Sequence, residues 1–156
     1  MISLRPLAAA DGAAFQQFVR GLSLESRLRR FLSPVRELGP RLLATLTQPD
    51  QRRHVALAAV ENSTIVGEGR YFWLEEGGRA EFAIAVADAW QRHGIGARLL
   101  GALSAAASRA NVAILQGEVL RTNDPMLKFL ERGGFQLKTC PGDPRLLLAE
   151  KRLSPG

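Results

Sequence analysis

Gln91-Arg92-His93-Gly94-Ile95-Gly96-Ala97 is the stretch on which the reading of this chain turns. It lies between an apolar, strand-like run that ends near Val86 and a helical pattern that begins near Gly94. Glycines at such a junction let backbone N–H groups approach a ligand without side-chain obstruction. Those N–H groups also open a helix, so their unpaired donors and the helix dipole favour a pyrophosphate. Arg92, His93 and Arg98 add positive character nearby. Two other phosphate loops fit poorly. A Walker loop needs Gly-Lys-Ser/Thr, which is missing, and a Rossmann fingerprint needs a third glycine where Leu99 stands. A glycine-rich helix start that binds nothing stays open from these residues alone.

Working outward, the 94–110 pattern puts Ile95, Leu99, Ala102, Leu103 and Ala106 on one helical face. Upstream, Arg79–Val86 reads as a strand, turned in by Glu76-Gly77-Gly78. His54–Val60 and Thr64–Trp73 flank Glu61-Asn62-Ser63 as a hairpin. Downstream, Ile114–Leu120 is a strand and Asp124–Arg132 a helix stopped by Gly133-Gly134. Strands close the chain around Phe135–Lys138 and Leu146–Glu150.

Residues 2–7 give a first strand. Three helices are expected before the hairpin. Asp11 would cap the first, with Phe15, Phe18, Val19 and Leu22 on its apolar face. Ser23 would open the second, with Leu24, Leu28, Phe31 and Leu32 inward. Pro40 would start the third, with Leu42, Leu43 and Leu46. The sum is an α+β fold with a mixed, mostly antiparallel central sheet flanked by helices, in one domain over 1–156.

Bulk properties exclude several classes. The chain has 156 residues, and 46% of them are hydrophobic, enough for a core without staples. The one cysteine, Cys140, rules out an internal disulfide framework and a cysteine-built zinc site. His54 and His93 lack clustered partners for a metal. No apolar run approaches the roughly 20 residues of a membrane span, and the N-terminus lacks a signal-peptide pattern. A cytoplasmic protein is expected. Its net charge of +6, carried by 18 Arg and 3 Lys, favours anionic ligands in general. No nucleic-acid-binding motif accompanies that charge.

Gln-x-x-Gly-x-Gly/Ala after a strand resembles the acyl-CoA pyrophosphate loop of the GNAT superfamily of N-acetyltransferases. A second half-motif, Asn123-x-x-Met126-x-x-Phe129-Leu130-Glu131-Arg132-x-Gly134-Phe135, is similar to that superfamily's Asn-x-x-Ala-x-x-Leu-Tyr-Glu-Lys-x-Gly-Phe. Two further stretches resemble the catalytic domain of bacterial Pat-type protein-lysine acetyltransferases. They are Leu22-Ser23-Leu24-Glu25-Ser26-Arg27-Leu28-Arg29-Arg30-Phe31 and Ala80-Glu81-Phe82-Ala83-Ile84-Ala85-Val86.

The resemblance implies a GNAT-like fold and acetyl-CoA as co-substrate, with no metal. Ile84 and Val86 would offer backbone groups to the pantetheine arm. Gln91, Arg92, His93, Gly94, Gly96 and Ala97 would hold the pyrophosphate, and Asn123 would lie near the thioester. Glu81 would be the general base, ahead of Glu118, which could equally pair with an arginine, and of Glu68. Leu130 replaces the tyrosine that often protonates the thiolate, so no general acid is assigned. The acceptor implied is a protein lysine. A small amine or amino acid is the alternative, and a non-catalytic acyl-CoA sensor is a rival of another class. The helices of 12–48 could shape the acceptor site or a homodimer surface.

Overall fold

The computed structural model describes residues 1–75 and 77–154. Its elements are β1 (Ser3–Pro6), α1 (Gly12–Gly21), α2 (Leu24–Phe31), α3 (Pro40–Thr47), β2 (His54–Glu61), β3 (Thr64–Trp73) and β4 (Arg79–Val86). They continue with α4 (Ile95–Arg109), β5 (Ile114–Leu120), α5 (Asp124–Arg132), β6 (Gln136–Thr139) and β7 (Leu146–Arg152). The strands follow the order β1-β2-β3-β4-β5-β7-β6. Antiparallel pairs join β1 to β2, β2 to β3, β5 to β7 and β6 to β7, while β4 and β5 run parallel. This is the mixed, mostly antiparallel sheet the sequence predicts. Contacts divide the chain into two compact units, Met1–Phe72 with Ala83–Leu103, and Trp73–Phe82 with Ser104–Gly156.

The first unit is built on a core of Leu7, Phe15, Phe18, Val19, Leu22, Leu38, Leu46, Ala56, Ala58, Val60, Ile65 and Ala85. Asn62 and Ser63 both take positive φ, as a two-residue primed hairpin turn requires, and Glu61 pairs with Thr64 across it. Gly67 and Gly69 let α4 lie close: a Cβ on Gly69 would stand 3.0 Å from Leu103 Cδ1 and 3.4 Å from Leu99 Cβ. The buried stripe of α4 is Ile95, Leu99, Leu100, Leu103 and Ala107. Leu100 and Ala107 take the places expected of Ala102 and Ala106, which are half-buried.

Three helical expectations need correction. Asp11 does not cap α1 through its side chain, because its carboxylate is taken by Arg5 at 2.8 Å and by the Ala8 N–H at 2.9 Å. Leu24 is 60% exposed, while Leu28, Phe31 and Leu32 are half-buried and Phe31 packs against the core. Leu42 is also exposed, leaving Leu46 as the buried anchor of α3. Ser23, by contrast, caps α2 by accepting from the Ser26 N–H at 3.1 Å.

The second unit packs Ala80, Phe82, Val112, Leu115, Val119, Leu130, Phe135, Leu146 and Ala149. Phe82 meets Phe135 edge-on with ring centroids 5.4 Å apart. Gly134 ends α5 with φ of 90°, as the glycine pair predicts. Of the turn read at Glu76-Gly77-Gly78, Glu76 lies outside the described residues. Gly77 and Gly78 both have positive φ.

Candidate active-site elements

In the first unit β4 ends at Val86, one helical turn covers Asp88–Trp90, and α4 begins at Ile95. Between them Arg92 and Gly94 take φ of 67° and 81°. Gly94 adopts its positive φ without a Cβ penalty, whereas Arg92 carries a side chain in the left-handed region, and together they turn the chain into the helix. Nothing lies within 4 Å of where a Cβ would stand on Gly94 or Gly96, so the helix opening is clear of side chains. Gln91, Arg92, His93, Gly94 and Ala97 are exposed, Gly96 is half-buried, and Ile95 is buried beneath them. His93 Nδ1 lies 2.8 Å from the Gln91 carbonyl, so Nδ1–H donates and Nε2 is left to face outward chemistry. Arg98 is spent elsewhere, donating to the Ile2 carbonyl at 3.2 Å.

The side chain of Gln91 does not point to a free ligand position. Its Nε2 donates to the Val86 carbonyl at 3.0 Å and to Ser26 Oγ at 3.3 Å. Ile84 is buried, with its side chain against the line of Gly69, so only its backbone can serve a ligand. Val86 is half-buried.

The second unit holds Glu81, Glu118, Cys140 and Asn123. Glu81 stands in register with Gln116 on β5, and Glu118 lies two residues farther along the same face of that strand. Among the described residues Glu81 has no hydrogen-bond donor and no cation beside it. Burial and the Glu118 carboxylate push its pKa up. Glu118 does not pair with an arginine; Cys140 Sγ donates to it at 3.4 Å. Burial and that contact push the Cys140 thiol up, away from the reactive thiolate. The neighbouring cations are committed: Arg79 and Lys138 both bind Glu150. Asn123 is buried and caps α5, its Oδ1 accepting from the Met126 N–H at 3.4 Å. Leu130 is fully buried and offers no proton.

Glu68 is held differently. It is buried between Arg30, at 2.8 Å, and Arg70, at 2.9 Å. Burial opposes its charge, but the two guanidinium groups outweigh burial and hold the carboxyl below its ordinary range. Arg70 also donates to the Leu46 carbonyl at 2.7 Å and lies 3.0 Å from His54 Nε2. Such a carboxylate is a structural counter-ion. The alternation of β3 places Glu68 and Arg70 on one face, but their burial contradicts the usual polar-outward rule.

The sequence model of the acetyltransferase (GNAT) family matches residues 22–135, which include the loop, Glu81 and the Asn123 motif. The chain belongs to the acetyltransferase (GNAT) family. An acetyltransferase of Pseudomonas aeruginosa is 34% identical over 103 residues, covering 64% of this chain and 55% of that protein. The acetyltransferase Pat of Mycolicibacterium smegmatis is 32% identical over 136 residues, 84% of this chain and 40% of that one. The chain therefore spans about half the length of these curated relatives. The crystal structure of the GNAT domain of S. lividans PAT superposes with a TM-score of 0.90 at 26% identity. It covers 96% of this chain and 89% of that one. Acetyl-CoA is the GNAT co-substrate. The described residues hold no group of His, Cys, Asp and Glu that could bind a metal, and no helix long and apolar enough to cross a membrane.

Proposed function

We propose that this GNAT chain transfers acetyl from acetyl-CoA to a protein lysine, with Glu81 as general base. The observation that carries the reading is the state of Glu81: half-buried, without a described cation or donor, and raised in pKa by burial and Glu118. A lysine with a pKa near 10.4 is neutral in only about one part in 2,500 at pH 7, so the acceptor must lose a proton before or as it attacks. A carboxylate that is poorly stabilised as an anion accepts that proton more readily than a paired one such as Glu68.

The amine nitrogen attacks the thioester carbonyl carbon, and Glu81 takes its proton directly or through water. The tetrahedral intermediate collapses to an amide and the CoA thiolate. Backbone N–H groups of β4 near Ile84 and Val86 are assigned to the pantetheine arm and the oxyanion. The open amides of 94–97, with Arg92 and His93, are assigned to the pyrophosphate. Asn123 is assigned to the thioester end through the amide nitrogen its capping bond leaves over. A thiolate with a pKa near 8.5 departs with little help, so Leu130 in the usual tyrosine position is no obstacle.

A lysine acceptor is what the resemblance of residues 22–31 and 80–86 to Pat-type protein-lysine acetyltransferases implies. The test is calorimetric titration with acetyl-CoA, followed by acetyl transfer to a protein acceptor and to a panel of small amines. Binding in the micromolar range, about −8 kcal/mol, is expected for acetyl-CoA and not for ATP or NAD. Glu81→Gln should keep that binding and lose about 10²–10⁴ in kcat. Full activity of Glu81→Gln across pH would remove it as the base. Turnover confined to small amines would replace the lysine assignment.

A further inference from the structure

At its C-terminal end α2 packs Phe31 against the core of the first unit, but Leu24 in its first turn is exposed, so polar contacts hold the opening of the helix. At its N-terminus the contacts converge on one carboxylate. Asp88 Oδ1 accepts from the Ser23 N–H at 3.0 Å, and Oδ2 accepts from Ser23 Oγ at 2.9 Å and Ser26 Oγ at 3.0 Å. Ser26 Oγ in turn accepts from Gln91 Nε2, which also donates to the Val86 carbonyl. The Gln91 N–H donates to the Asp88 carbonyl at 3.3 Å. One continuous chain of hydrogen bonds thus runs from the first turn of α2, through Asp88 and Ser26, into the 91–97 loop.

We propose that Asp88 is a positioning residue for the cofactor loop: it staples the N-terminus of α2 to Gln91 and so holds the loop backbone in its binding geometry before acetyl-CoA arrives. The proposal rests on the reading of 91–97 as the pyrophosphate loop. It also gives Gln91 a definite task. Its amide is spent inward on Val86 and Ser26, so it orders the loop and does not touch phosphate.

The charge of Asp88 suits this role. Burial works against the anion, but the Ser23 N–H and the two serine hydroxyls outweigh it and hold the carboxyl below its ordinary range. An anion at the opening of α2 is also favoured by the helix dipole. At the far end of α2, Arg30 is fixed to buried Glu68. Loosening Asp88 therefore frees only the end of the helix that faces the loop.

If the loop without its staple holds the competent geometry about a tenth of the time, the apparent Kd for acetyl-CoA rises about tenfold. The measurements are that Kd, kcat at saturating acetyl-CoA, and amide hydrogen exchange of the unliganded protein, for wild type, Asp88→Ala, Asp88→Asn and Ser26→Ala. Asp88→Ala is expected to raise Kd about tenfold, leave kcat within about twofold, and speed exchange in both 24–30 and 91–97. Asp88→Asn, which can still accept from the Ser23 N–H, should recover part of the loss. Ser26→Ala cuts the link to Gln91 while leaving the Asp88–Ser23 bonds, and it serves if Asp88→Ala fails to fold. Faster exchange at 24–30 with 91–97 unchanged would reduce Asp88 to a helix cap and overturn the proposal. An unchanged Kd in folded Asp88→Ala would do the same. Wild-type protein that binds no acetyl-CoA would defeat the function proposed above, while the exchange at 91–97 would still decide the staple.

Discussion

Acid is expected to destabilise this protein through one identifiable side chain, His54. Its Nε2 lies 3.0 Å from Arg70 Nη1, and its ring stacks on Phe72 with centroids 4.0 Å apart. An arginine cannot accept a hydrogen bond, so Nε2 is the acceptor and the ring carries its proton on Nδ1. Burial first, and the Arg70 charge second, push the imidazole from 6.5 down to about 4. Between those values the unfolded chain binds a proton that the folded protein refuses. Stability therefore falls as pH drops through that window and is unaffected by His54 above it. At about 1.4 kcal/mol per tenfold the whole gap is worth about 3 kcal/mol. His54 also lines an open cavity of about 420 Å³ with Ala44, Thr45, Gln48 and Asp50, where solvent screens the charge, which brings the effect to about 1–2 kcal/mol. Urea unfolding of wild type and His54→Gln at pH 7, 6, 5 and 4 measures it, since glutamine can accept from Arg70 but does not titrate. The stability of wild type relative to the variant should fall by about 1–2 kcal/mol across the window. A difference that stays flat with pH would show that the folded protein protonates His54 as readily as the unfolded chain does.

Three more outcomes follow from the packing. Glu68→Gln leaves Arg30 and Arg70 buried without their counter-ion and should cost about 3–5 kcal/mol in urea unfolding. Gly117→Ala would set a Cβ 2.7 Å from Phe82 Cε1 and should cost about 1–3 kcal/mol, whereas exposed Gly101→Ala in α4 meets nothing within 4 Å and should gain about 1 kcal/mol. Calorimetric melting of the pair checks both signs. Glu81→Gln should be more stable than wild type at neutral pH. A raised carboxyl pKa means that the fold disfavours the anion, a penalty that grows as pH rises from 4.5 through the folded value. A wild type more stable than the variant at pH 7 would mean that Glu81 is a stabilising anion.

Periodicity and turn residues located the strands of this chain, but burial follows period two only in part: β3 is buried at seven consecutive positions, Ile65–Tyr71. Along β4, Ala80, Phe82 and Ile84 are buried and Glu81 and Ala83 are half-open, as alternation requires, but the pattern breaks at the strand end, where Ala85 is buried and Val86 half-buried. The loop was legible through Gly94, whose left-handed φ is a local demand of the turn. What periodicity missed are partnerships between residues distant in the chain. Ser23 and Asp88 are 65 positions apart, and Arg30 and Glu68 are 38 apart. Leu24 misled for a related reason. The apolar spacing of α2 suggests an inward face that includes Leu24, yet only its later part, at Leu28 and Phe31, is half-buried, and the first turn is anchored by Ser23 and Ser26. Asp11 misled because a nearby Arg5 outcompetes the helix N–H groups for its carboxylate.

The distribution of acid in a cationic chain also fits the two ends of the proposed reaction. Screening limits a charge to about 8–10 Å in salt, so what a ligand meets is local. At the 91–97 loop it meets Arg92, His93 and the unpaired amides of α4, a setting for phosphates. In the second unit it meets Glu81 and Glu118, whose neighbouring cations are already committed to Glu150. An ammonium approaching that pair is attracted as a cation, and the carboxylate that attracts it is the one least stabilised in its charged form. The same lack of partners that makes Glu81 costly to the fold is thus what a lysine needs from its base.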